Sequence, residues 1–290
     1  MRDYIKFKTN LKQEKYYKSY VESLSLWKVP LESYYVSTEQ GETHIVSCGI
    51  EDGEPLVLIH AMGCSSTMWY PNIQELSKHF KIYAVDYFGD LNKSVPKNYP
   101  SKIEECTMWF EQVLDCLHIE KCYLAGLSYG GFLSAQFSLF IPQRIKKMVL
   151  MNPAGTFAQI YSLFIIRILT LAKFPYHFVV KNFMNWLLVE KKTLDDLFVS
   201  QFHAGFKHGM MKGKIPPFVI NDEELRKIEV PTLLLLGEGE VICDVRKAYQ
   251  RASNLVENIQ VELVPEAGHL LSLEKPEFVN EQMIKFLVNH

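Results

Sequence analysis

The stretch Gly126-Leu127-Ser128-Tyr129-Gly130 sets a hydroxyl between two glycines, where one apolar run, "KCYLA", gives way to another, "FLSAQFSL". A serine with glycine two residues away on either side suits a sharp strand-to-helix turn, because strand and helix approach closely only if the flanking positions lack bulk. Such a turn would lift the Ser128 hydroxyl clear of a sheet. It would also place the Tyr129 N–H at a helix N-terminus, where partial positive charge favours a developing oxyanion. The chemistry to look for is nucleophilic attack by an activated hydroxyl.

Serine is inert near neutral pH without a base in hydrogen-bond reach. The base belongs in a loop after the last strand, where "PEAGHLLSLEKP" supplies His269 behind Gly268. An imidazole doing this work needs a carboxylate to orient it and stabilise its cation. In the order serine, acid, histidine, that residue follows the penultimate strand, and "LLLLGEGEVICD" offers Glu238, Glu240 and Asp244.

These three groups need a sheet to bring them together. Runs at 55–60, 81–87, 121–127, 146–152, 231–238 and 258–266 are continuously apolar and without alternation, as expected for parallel strands buried on both faces. Helical stripes lie between and after them: Ile103, Cys106, Phe110, Val113, Leu114 and Leu117, then Val279, Met283, Phe286 and Leu287. The alternation implies an α/β fold with a mostly parallel, doubly wound sheet. Residues 31–50 suggest an antiparallel strand pair turning at Gln40-Gly41, preceded by a helix with the stripe Tyr17, Val21, Leu24 and Trp27 that Pro30 ends. Roughly 75 residues separate the strand ending near Asn152 from the one starting near Thr232, too many for a plain crossover, so a helical cap is expected there. The divisions are an N-terminal helical extension at 1–30, a core at 31–153 and 230–290, and a cap at 154–229.

Composition narrows the rest. The chain is 48% hydrophobic and 22% charged, with a formal net charge of −2, which offers no basic field for nucleic acid. Arg167 and Lys173 interrupt the greasiest segment before it reaches the roughly 18 apolar residues of a membrane span. Six cysteines without a CxxC pair read as small core residues of a reducing compartment, and the N-terminus carries no secretion signal, so a cytoplasmic location is expected.

Four motifs, "HAMGCSS" (60–66), "GLSYG" (126–130), "GEGEVICD" (237–244) and "AGHLLSLEKPEFVN" (267–280), together resemble the α/β-hydrolase superfamily and its bacterial carboxylesterase-like members, over roughly residues 40–290. The resemblance implies the α/β-hydrolase fold and a triad of Ser128, His269 and Glu240. Glutamate stands where the family usually has aspartate, and Asp244 is the alternative acid. His60-Ala61 replaces the family's His-Gly, and Met62 would supply the second oxyanion N–H opposite that of Tyr129. His60 is expected to steady that loop, "DYFGDLNKS" (86–94) to be architectural, and Cys64 to be filler.

The implied activity is hydrolysis of carboxylic esters of small to medium hydrophobic substrates through an acyl-enzyme, with no metal or organic cofactor. The partner is then a small-molecule ester. Thioesterase, lactonase and cofactor-free perhydrolase chemistry fit the same triad, and a hydrolase-like binding or signalling module with little turnover fits the same fold. From the cap, Phe157, Tyr161, Phe164, Phe183 and Trp186 are candidates to line a pocket over Ser128. The spacing of His203 and His208 is poor for a metal pair.

Overall fold

In the structure, a computed structural model that describes residues 6–7, 9–191, 194–213 and 215–288, the apolar runs become strands with two dry faces. Leu56 and Leu58 join one apolar layer with Trp69, Ile73, Met283 and Leu287. Val57 and Ile59 join the opposite layer with Phe110, Leu114, Phe132 and Phe137. A strand covered on both sides has no polar face to show, which is why the sequence lacks alternation there.

In chain order the strands are β1 (Leu31–Thr38), β2 (Gly41–Gly49), β3 (Pro55–Ile59), β4 (Lys81–Val85), β5 (Val95–Pro96), β6 (Cys122–Leu127), β7 (Ile145–Met151), β8 (Thr232–Gly237) and β9 (Ile259–Val264). They form one sheet in the order β1-β2-β4-β3-β6-β7-β8-β9, with β5 beside β2. Pairings of β2 with β1, β4 and β5 are antiparallel, and all others are parallel. From β3 the chain winds first to β4 on one side and later to β6 on the other. A cleft therefore opens beyond the carboxyl ends of β3 and β6, the place where doubly wound sheets bind ligands. The last strand departs from expectation: β9 is half exposed, because it is the sheet edge with a neighbour on one side only.

The helices are α1 (Asn10–Leu24), α2 (Tyr70–Leu76), α3 (Ile103–Cys116), α4 (Tyr129–Phe140), α5 (Ser162–Lys173), α6 (His177–Trp186), α7 (Asp196–His208), α8 (Asp222–Leu225), α9 (Val245–Leu255), α10 (Leu271–Glu274) and α11 (Pro276–Val288). Helices α5 to α8 lie between β7 and β8. Phe164, Phe183, Phe198 and Phe202 from this segment join the same apolar layer as Trp69. No helix among the described residues is long and apolar enough to cross a membrane.

Helix α1 turns a different face inward from the one its aliphatic spacing suggests. Tyr16, Ser19, Tyr20 and Ser23 are buried, whereas Val21 is exposed. The reason lies in what the helix meets. Tyr16 donates to Leu91 O, Tyr20 to the Asp86 carboxylate at 3.1 Å, and Gln201 of α7 donates to the Tyr16 hydroxyl at 3.2 Å. The partner surface is polar as well as apolar, so tyrosine suits it better than valine. The first five residues of the expected extension lie outside the described residues.

Candidate active site

Strand β6 ends at Leu127, α4 starts at Tyr129, and the whole turn is made by Ser128 at φ 55°, ψ −114°. That backbone conformation costs a non-glycine residue about 1–3 kcal/mol and persists only where the surroundings over-determine it. Here they do: Ser128 N donates to Met151 O at 2.9 Å, and Ser128 O accepts from Phe132 N at 2.9 Å and Ala154 N at 3.0 Å. The glycines are sterically required. A Cβ on Gly126 would stand 2.3 Å from Gly130 O, and one on Gly130 would stand 2.1 Å from Ile59 O.

His269 Nε2 lies 2.8 Å from Ser128 Oγ, and His269 Nδ1 lies 2.6 Å from Glu240 Oε2. The imidazole and carboxylate side chains are 3% and 1% exposed, so neither hydrogen bond competes with bulk water. With the ring proton on Nδ1, where the carboxylate accepts it, Nε2 is left as the acceptor facing the serine hydroxyl. The other oxygen of Glu240 accepts from Val241 N at 2.7 Å and Ile242 N at 2.8 Å. The extra methylene of glutamate is thus taken up by folding the side chain back over its own turn. Asp244 is exposed and caps α9 by accepting from Lys247 N at 3.0 Å. Glu238 is exposed too.

The loop after β3 faces this triad. Cys64 N closes a turn on Ala61 O at 3.1 Å, and Gly63 N donates to both Asp90 oxygens at 3.0 Å. His60 is buried, donates from Nδ1 to Ala61 O at 2.9 Å, and stacks on Tyr87 with ring centroids 4.1 Å apart. It braces the loop. Beneath sits Asp86, which accepts from Ser66 N and Oγ at 2.8 Å and from His44 Nδ1 at 3.0 Å. Burial alone would raise the Asp86 pKa. The hydrogen bond and charge of His44, the charge of His60 and the Ser66 N–H outweigh it and hold the carboxyl well below the usual range.

Above Ser128 the cavity measures only about 20 Å³, room for roughly one water. Its walls are Ala61, Met62 and Cys64 on one side and apolar cap side chains on the other. A larger groove, about 670 Å³ between α2 and α11, is lined by mixed charges and shares no residue with this site.

Comparison with known proteins shows the family. The family model described as "alpha/beta hydrolase fold" matches residues 54–184. A Bacillus subtilis protein called "Uncharacterized carboxylesterase nap" is 43% identical over 278 residues, covering 94% of this chain and 92% of its own. Carboxylesterase YbfK of the same organism is 37% identical over 283 residues, 94% of this chain and 93% of its own. The crystal structure of naproxen esterase from Bacillus subtilis superposes with a TM-score of 0.92 at 42% identity, covering 96% of this chain and 99% of that one.

The chain belongs to the α/β-hydrolase family.

Within this α/β hydrolase, two of the five cap candidates reach the cavity and three do not. Phe164 and Phe183 line it, Phe164 with its ring 6.4 Å from that of His269. Phe157 is instead buried in the opposite apolar layer, and its carbonyl accepts from Arg251 at 2.9 Å. Tyr161 is exposed just ahead of α5, where its N–H holds Ile242 O at 2.8 Å. Trp186 is taken up by Arg167, whose guanidinium lies 4.5 Å above the ring. Phe157 and Tyr161 precede α5 and so carry no helical phase, and Trp186 is the last residue of α6, so spacing alone does not tell which of these aromatics point in. The cap walls missed by the sequence reading are Ile168, Met184, Leu187 and Phe202.

Other contributors to the hydrolase site carry no nucleophile or base and were not singled out from sequence. Asn152, at φ 39° just past β7, donates to Gly268 O at 2.9 Å and His269 O at 3.1 Å, and accepts from Gly237 N at 3.0 Å. One amide thus ties the acid turn to the histidine loop. Glu274 accepts from Gly268 N at 2.7 Å, and Leu187 O accepts from His269 N at 2.8 Å, so the cap also grips that loop. The signal available for Asn152 was an amide closing an otherwise apolar strand run.

Proposed function

We propose that this α/β hydrolase is a serine carboxylesterase in which Ser128 is the nucleophile, His269 the general base and acid, and Glu240 the orienting carboxylate. The observation that carries the reading is the unbroken line Ser128 Oγ, His269 Nε2, His269 Nδ1, Glu240 Oε2, with both links under 3 Å in a water-excluded setting. In the first half-reaction Ser128 Oγ forms a bond to the ester carbonyl carbon as its proton passes to His269. The oxyanion is held by the Met62 and Tyr129 N–H groups. The C–O bond to the alcohol breaks, and the alcohol leaves with the His269 proton. Water then attacks the acyl-enzyme with His269 as base, and the acid departs as Ser128 regains its proton.

The apolar cap wall of Phe164, Ile168, Phe183, Met184, Leu187 and Phe202 supports small to medium hydrophobic esters. A fluorophosphonate probe should label the parent protein at Ser128 and leave Ser128→Ala unlabelled. p-Nitrophenyl butyrate turnover should fall on the order of 10⁶-fold in Ser128→Ala. Equal turnover by both proteins would refute the assignment, and small-molecule binding without an adduct would favour a non-catalytic receptor.

A further inference from the structure

We infer that the outer face of the cap docks on an anionic lipid surface. Helix α5 is apolar on both sides. Phe164 and Ile168 line the cavity over Ser128 and Leu171 is buried, whereas Leu163, Ile165, Ile166 and Leu169 face solvent. Ile166 and Leu169 are 59% and 62% exposed, and beyond the helix Tyr176 and Phe178 are 59% and 65% exposed with their rings stacked. Single exposed hydrophobes are ordinary. This many within one short stretch are not, since the rings of Phe174, Tyr176 and Phe178 at about half exposure alone present roughly 300 Å², already the size of the largest patch on a typical monomer.

Charge identifies the occupant. From Pro153 to Val189 the chain has no aspartate or glutamate, and its charged residues are Arg167, Lys173 and Lys181. Lys173 and Lys181 are exposed, and Lys173 sits over the Phe174 ring at 5.3 Å. Aliphatic and aromatic side chains framed by cations match the interface of an anionic bilayer, where apolar groups enter the acyl boundary and ammonium groups meet headgroups. A second copy of this chain fits worse. A two-fold contact through this patch would gather the Lys173 and Lys181 charges of both copies in one interface, with no acidic group in the segment to answer them. The surface thus adds a location for the molecule to its proposed chemistry, and its test does not depend on turnover.

The test is flotation of the Ser128→Ala protein with vesicles of phosphatidylcholine alone or with roughly one third phosphatidylglycerol. Recovery with the anionic vesicles should be about tenfold higher and should fall in high salt. The double substitution Ile166→Glu, Leu169→Glu should abolish flotation. The pair Lys173→Glu, Lys181→Glu, which leaves every aliphatic and aromatic side chain of the patch in place, should lower it to the phosphatidylcholine value. Thermal melts check that each variant is folded, and the lysine variant keeps the test decisive if the apolar one is not. Absence of flotation overturns the inference, whether the protein is then a monomer or a dimer that the Glu variants dissociate. Flotation indifferent to lipid charge, or to both pairs of substitutions, also overturns it.

Discussion

At the scale of single residues the site is decided by which of several similar groups points at the imidazole. Glu240 lies 2.6 Å from His269 Nδ1, while Asp244 is spent on capping α9. Glu240→Gln should therefore lower kcat by roughly 10⁴, and Asp244→Asn should leave kcat near the parent value, both read from steady-state hydrolysis of p-nitrophenyl butyrate. A near-normal Glu240→Gln enzyme would move the role elsewhere. Gly130 has a stricter requirement, since its added Cβ would meet two backbone carbonyls, of Ile59 and His60, that cannot swing aside. Gly130→Ala is expected to destabilise the fold by roughly 3 kcal/mol, seen as a lower midpoint in urea. Ser128→Ala, which keeps the same backbone, should show no such loss.

At the scale of elements, function depends on how loops are pinned to strand ends. Asn152 holds the histidine loop by two carbonyls and the acid turn by one N–H, so Asn152→Leu leaves those groups buried and unanswered. The expected outcome is a fall in kcat of about 10- to 100-fold with KM little changed, because the cavity walls are untouched. Faster amide exchange at His269 would accompany it, and an unchanged exchange rate would argue against pinning. The N-terminal helix acts on the facing loop in a similar way. Gln201 donates to both Tyr16 OH and Ser65 Oγ and accepts from Thr67, which joins α1, α7 and the loop after β3 in one buried network. The apolar stripe anticipated for α1 missed this because tyrosine and serine, rather than valine, form the buried face. Periodicity located that helix, but hydrogen-bond partners distant in sequence chose its inner side.

At the scale of the whole molecule, acid should unfold the protein partly through Asp86. Its folded-state pKa is depressed below the ordinary aspartate value near 3.9. Asp86 therefore contributes stability that is fully present above that value and is lost as pH falls toward the folded pKa. Urea midpoints should drop as pH is lowered below about 4, and Asp86→Asn should be less stable near neutral pH and show a shallower acid decline. The sequence by itself determined the alternation of strands and helices, the strained serine turn, and the candidates Ser128 and His269, with the acid narrowed to one short segment. Each of those is written in local chemistry: dry strands without alternation, glycines two residues from Ser128, a histidine after the last strand run. Tertiary structure brought Glu240, the acid the family resemblance implied, and not Asp244 to the imidazole, and it alone decided that Phe164 and Phe183 but not Phe157, Tyr161 or Trp186 face the cavity and that Asn152 ties two loops together. Those outcomes turn on side-chain direction and on contacts between segments scores of residues apart, which hydrophobic pattern and spacing do not encode.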